Sequence, residues 1–233
     1  MKTIISYHPI SEKEIHDWYI DMNFSLILDD VNYNLIKTAR ASNMSDDKLK
    51  KYIKTMKNAV KTDVNAVFDT THGFYLAKIQ TYFRECFTVD AIFSDLIKEN
   101  EKYLGYTKTW QSIIEPKNSF SFLNTLSPTK SSGIYIPAEK VVKLLKDYEV
   151  NLLVKKDFIR FFDKEKLSQF IDALHFAKDN NLGLLEANGV LKYEEEEKAS
   201  SNNEIIELGK EEPVSNEEKR EKKSIFSRVF GKK

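Results

Sequence analysis

SDDKLKKYIKTMKNAVKT, residues 45–62, sets the expected fold class of this chain. A capping serine at 45 and two aspartates in the first turn complement the helix dipole, and Leu49, Tyr52, Ile53, Met56 and Val60 share one face. Together they predict an amphipathic helix with one side against a core. The opposite side carries Lys48, Lys50, Lys51, Lys54, Lys57 and Lys61. Such a stripe raises the question of nucleic acid, but it holds no arginine and no aromatic side chain to stack a base. A solvated face is therefore expected, and nucleic acid is not an expected partner.

Toward the N-terminus, Ser11 and Glu14 stand at the spacing of a capping box, and Ile10 with Ile15 at that of a hydrophobic staple. A helix starting there places Ile15, Trp18, Tyr19 and Met22 on one stripe, and the preceding TIISY reads as a short strand. Toward the C-terminus, residues 69–105 carry Phe74, Tyr75, Ile79, Tyr82 and Phe83, then Ile92, Phe93, Leu96 and Ile97. Two helices fit, broken near FTVD and stopped at Gly105, with Asp69 as a cap and Cys86 inside the aromatic helix. TKTWQSIIEP allows a short helix ended by Pro116.

Residues 116–133 are rich in Ser, Thr, Asn and Lys without a sustained period, which marks the main internal loop and a candidate place for a subdivision of the domain. The TKSSG within it lacks the glycines and Gly-Lys-Ser/Thr of a phosphate-binding loop. GIYIP then reads as an edge strand, because Pro137 has no N–H to give a neighbour, and Pro137 also suits a helix start ahead of Val141, Leu144, Leu145 and Tyr148. VNLLVKKDFIRFF is compatible with strand or helix. Asp163 caps a helix with Leu167, Phe170, Ile171 and Leu174 inward, ended by NNLG. The expectation for residues 1–193 is one mainly α-helical domain of about six to eight helices with one or two short strands.

Composition agrees with a folded body. The chain is 41% hydrophobic and 12% aromatic, with fifteen Phe and eleven Tyr, enough for a sizeable core. Net charge is zero, so no whole-chain attraction to a polyanion is available. The single cysteine cannot close an internal disulfide, charge and proline come too early in MKTIISYHPISEKEIHDWYI for a secretory signal, and no run is long enough to span a bilayer. The expected compartment is the cytoplasm, with contact at a membrane periphery allowed by the C-terminus.

Chemistry has few carriers. Glu12 with His16, and Asp69 with His72, are spaced to offer two metal ligands each, but neither pair belongs to a larger ligand motif. His175 reads as a core-flanking histidine and Cys86 as a small buried hydrophobe. No nucleophile elbow or dinucleotide turn occurs. No residue is assigned a catalytic role, and no metal or cofactor is expected.

Past Tyr193 the composition changes. Residues 194–221 hold eleven Glu against Lys198, Lys210, Lys219 and Arg220, seven net negative charges with few bulky apolar groups, so a disordered acidic linker is expected. Residues 222–233 reverse the sign with five cations and no acid. There Ile225, Phe226, Val229 and Phe230 form one helical stripe, with Arg228, Lys232 and Lys233 available to an anionic surface. Burying each apolar group returns roughly 1.5–3 kcal/mol, while ordering a backbone residue costs roughly 1–2 kcal/mol, so docking through this tail is weak and reversible.

The functional expectation is a non-enzymatic cytoplasmic protein-interaction module, an adaptor or immunity-type binding protein, whose C-terminal segment assists weak docking to a partner or membrane. The alternative is a metal-dependent or hydrolytic enzyme using His16 or His72 with nearby carboxylates. For the tail, Phe226→Glu with Phe230→Glu is expected to release the protein from its target without moving the thermal midpoint of the body. Binding retained by this double variant would place the site in the body.

Overall fold

The structure is a computed structural model that describes residues 4–22, 24–29, 32–63, 66–114 and 121–191. The expected acidic linker and the docking segment at Ile225, Phe226, Arg228, Val229, Phe230, Lys232 and Lys233 lie outside the described residues. The chain is mainly α-helical, as its patterning predicts. Strand β1 (Ile5–Ile10) leads through the capping box into α1 (Glu12–Ile15), which widens into a π-turn over His16–Ile20. Then come α2 (Phe24–Leu28), α3 (Tyr33–Ala41), α4 (Asp46–Val60) and α5 (His72–Phe83). Strand β2 (Phe87–Thr88), α6 (Phe93–Glu99), a 3-10 helix (Glu101–Tyr106) and α7 (Trp110–Ile113) follow. The described chain ends with β3 (Ser131–Ile136), α8 (Ala138–Val150), α9 (Leu152–Phe161), α10 (Lys164–Asp179) and β4 (Gly183–Asn188).

The capping signals behave as the local chemistry requires. Ser11 Oγ accepts from Glu14 N–H at 3.2 Å while Glu14 Oε2 accepts from Ser11 N–H at 2.9 Å. Ser45 caps α4 and Asp163 caps α10. The inner stripe of α4 is rotated from the expected one: Tyr52, Thr55, Met56 and Ala59 are buried, and Leu49, Ile53 and Val60 lie half out. Thr55 is admitted because its hydroxyl meets the Tyr82 hydroxyl at 2.9 Å.

The four strands pair antiparallel in the order β2-β1-β4-β3, with helices on both faces. Ile5 and Tyr7 of β1, Leu184 of β4 and Ile134 and Ile136 of β3 join a core with α6, α8, α9 and α10, rich in aromatic contacts such as Phe93–Phe170 at 5.5 Å. The alternate residues of β1 turn toward α5, where Gly73 lets the helix approach: a Cβ there would lie 2.0 Å from Ser132 Oγ. Because both faces are covered, all six residues of β1, β3 and β4 are buried. This explains why GLLEAN was not expected as a strand. Its polar residues Glu186 and Asn188 share a face with core residue Leu184, so their alternation marks no solvent side, and Asn181 (φ 53°), not Gly183, makes the left-handed turn that ends α10.

Arg84 is already extended, with its carbonyl and that of Glu85 each 3.4 Å from Gln80 Nε2, so α5 ends before Cys86, which sits half-buried in the link to β2. Gly105 does not stop a helix from residue 92; α6 ends at Glu99, and Gly105 lies inside the 3-10 helix. Pro9 is tolerated in β1 because β2 pairs only with Ser6 and Tyr7, leaving the Pro9 carbonyl to accept from Gln80 Nε2 and Arg84 Nη1, each at 3.2 Å.

Where β3 passes Glu186, its register shifts between Ser132 and Tyr135, so Gly133 and Ile134 together face one residue of β4. A Cβ on Gly133 would stand 2.4 Å from Glu186 Oε2 and 3.0 Å from Leu126 Cδ1. We expect Gly133→Ala to lower unfolding free energy by roughly 1–3 kcal/mol in a urea titration. The control Gly105→Ala, whose Cβ meets nothing within 4 Å, should leave stability unchanged or slightly raised. Equal stability of the two variants would contradict the bulge.

Candidate functional site

The residues singled out for chemistry are not brought together. Glu12 pairs with Lys108 Nζ at 2.5 Å, while His16 points Nε2 at the Ile113 carbonyl (3.0 Å) and Nδ1 at Asp21 (3.2 Å). His72 is buried at the start of α5, with Nδ1 2.6 Å from the Tyr19 hydroxyl and its ring stacked between Phe24 and Phe68. Asp69 is not a helix cap: Thr71 holds that position, and Asp69 Oδ2 accepts from Leu123 N–H at 2.7 Å. The Asp69 carbonyl accepts from Ser132 N–H at 2.7 Å, so the residue clamps a loop and the outer edge of β3 to α5. Burial raises its carboxyl above the ordinary range. His175 is half-buried, as its position beside the apolar stripe suggests. Among the described residues no three His, Cys, Asp or Glu side chains converge on a metal position.

Two buried polar networks flank the sheet instead. On the α5 side, Gln80 Nε2 faces the Pro9, Arg84 and Glu85 carbonyls, which turns its Oε1 to His8 Nδ1 at 2.8 Å. His8 Nδ1 therefore carries the proton, and Nε2 is left to accept from Ser6 Oγ at 2.8 Å. The ring is neutral, and burial pulls its pKa down from 6.5 to about 4. On the opposite side, Glu186 accepts from Ser94 N–H at 3.2 Å and from the Ser94 hydroxyl, with the Tyr7 hydroxyl 3.1 Å away. Tyr7 accepts from Phe93 N–H at 2.9 Å. Helix α6 has no side-chain cap of its own, so Tyr7 and Glu186 satisfy its first two N–H groups from across the core. Burial raises the pKa of Glu186, and burial together with the Glu186 charge raises that of Tyr7. A serine, a tyrosine and a perturbed carboxyl at contact distance resemble acid–base machinery, but all are enclosed by packed layers and serve the fold.

Among the described residues, exposed large apolar side chains gather on the outer face of α9. Asn151 alone joins α8 to α9, donating its N–H to Asp147 O (2.8 Å) and capping α9 by accepting from Leu153 N–H (2.9 Å) and Val154 N–H (3.4 Å). Val154, Phe158 and Phe162, spaced by four, bind α9 to the aromatic core. Their burial leaves Leu152 and Leu153 at 72% and 66% exposure and Ile159 at 57%, beside Lys155, Lys156 and Arg160, with Val150 at the corner 70% exposed. The one acid within α9, Asp157, is turned aside and held by Lys102 (2.6 Å), Tyr103 (3.0 Å) and Asn100 (3.3 Å), and the Lys102 ammonium, with the Tyr103 hydroxyl, keeps its carboxyl below the ordinary range. Sequence periodicity did not reveal this face, because apolar residues occur on all sides of VNLLVKKDFIRFF.

The buried histidines carry a pH signature. Both His8 and His72 are held at about 4, below the ordinary 6.5, so the stability tied to each neutral ring is present above pH 6.5 and lost as pH falls toward 4. For His8 the loss is on the order of 3 kcal/mol. Glu186 and Asp69, raised by burial, act in the opposite sense, so the effect of His8 is isolated by comparison. His8→Asn, whose amide can replace the Nδ1 donor, should flatten the decline in thermal midpoint between pH 6.5 and 4 relative to the native chain. Parallel profiles would overturn the assignment. No protein-family model, curated protein or solved structure matches this chain.

Proposed function

We propose that the chain is a non-enzymatic protein-interaction module of the cytoplasm, of adaptor or immunity type, that binds its partner through the outer face of α9, with the C-terminal segment assisting. The supporting observation is the exposure of Leu152, Leu153 and Ile159 on a rigid helix. Monomeric surfaces carry single apolar residues freely, but a row of large ones on one element marks an interaction site. Magnitude favours this face over the tail as the main contact. Each leucine returns roughly 1.5–3 kcal/mol on burial and α9 is already formed, whereas a segment of the kind expected at residues 222–233 would lose roughly 1–2 kcal/mol per residue in becoming ordered. No enzyme is proposed on His16 or His72, since one is tied to a main-chain carbonyl and the other is sealed beneath Tyr19.

The test is capture of a specific partner from native-host lysate by the full chain and by Leu152→Ser with Leu153→Ser. Capture is expected to fall at least tenfold in the double variant, with the thermal midpoint unchanged because both side chains are largely in solvent. Undiminished capture would remove α9 as the site, and absence of any partner for the native chain would overturn the proposal.

A further inference from the structure

Building on the interaction-module reading, we infer that the face of α9 receives an acidic amphipathic segment of a protein partner. Leu152, Lys156 and Ile159 fall at i, i+4 and i+7, on one ridge, flanked by Lys155 on one side and by Arg160 and Leu153 on the other. Cations and apolar groups therefore alternate along a single stripe. Lys156 makes no ion pair among the described residues, the Lys155 ammonium rests over the Tyr148 ring at 6.0 Å, and Arg160 reaches Glu99 only at 3.5 Å. Two of the carboxylates nearby are otherwise engaged: Asp157 is committed to Lys102 and Tyr103, and Asp147 accepts from Tyr106 at 2.6 Å.

The alternation selects the occupant. At a lipid surface the Lys156 ammonium would snorkel to diffuse headgroup charge, so its fixed place between Leu152 and Ile159 would serve no purpose. A helix or strand bearing Glu or Asp between apolar residues covers the leucines and sets a carboxylate opposite each cation. The ridge from Leu152 to Ile159 spans about 10 Å at 1.5 Å per residue, so the complementary segment needs about two helical turns. Asn151 holds the corner in place, so the face is preformed for such a partner.

The experiment places a photo-crosslinking phenylalanine analogue at Leu153 in the full chain, with and without Lys155→Glu, Lys156→Glu and Arg160→Glu. Irradiation in native-host lysate with membranes retained is followed by mapping of the crosslinked segment. The expected result is one protein, joined through a segment rich in Glu or Asp with apolar residues every three or four positions. Its yield should fall at least tenfold on charge reversal and comparably when salt rises from about 0.05 to 0.5 M. A mapped segment that is neutral or basic, or a yield indifferent to charge reversal, overturns the acidic partner while leaving the interaction module in place. So does a native chain that retains a protein partner but gives no crosslink from this position. Crosslinks to lipid alone would overturn both and assign the face to a membrane.

Discussion

The buried carboxylate of Glu186 is the constraint around which this protein is arranged. It is fully enclosed between the sheet and the helices of one layer, yet it has its donors: the main chain and hydroxyl of Ser94, with the Tyr7 hydroxyl beside them. Desolvation makes an unpartnered carboxyl at such a depth costly, so every neighbouring choice serves its accommodation. Helix α6 begins where Glu186 and Tyr7 can receive its free N–H groups, β3 bulges beside it, and Gly133, one of the two residues facing it in the bulge, has no side chain. A single polar residue thereby connects the middle of the sheet, the start of a helix and an irregularity in the edge strand.

The opposite face of the sheet follows the same logic with different groups. Gln80 ends α5 by taking the carbonyls that follow it, and the polarity this imposes on its amide dictates the tautomer of His8 and the direction of the Ser6 hydroxyl. Asp69 and Lys108 close the outer edge of β3 through main-chain hydrogen bonds of 2.7 and 2.9 Å. Titratable groups that invite a catalytic reading are thus consumed in holding layers together. That is why the accessible surface, and not the polar interior, supports the proposed function.

That surface is itself a product of packing. Helices α8 and α9 are joined by one residue, and Asn151 serves as the end of the first and the cap of the second. With Val154, Phe158 and Phe162 committed to the aromatic core and Phe161 packed against it, Leu152, Leu153 and Ile159 have no inward position left. Among the described residues no helix is long and apolar enough to cross a membrane.

Much of the helical architecture was legible in residues alone. The caps at Ser11, Ser45 and Asp163 and the stripes beginning at Ile15 and Val141 involve atoms within a few positions of one another, so their chemistry is complete in a local window. Even there, tertiary contact rotated the inner face of α4 toward Thr55, once Tyr82 was present to satisfy its hydroxyl. What only the tertiary structure decided are the relations across distance. Glu186 meets Ser94 and Tyr7 across 92 and 179 residues, Asp69 finds Leu123 rather than its own helix, and GLLEAN becomes a strand because β1 and β3 lie on either side of it. The face of α9 belongs to the same group. Its apolar residues surround the helix, and a sequence cannot say which will be exposed until the core has taken the ones it can fit.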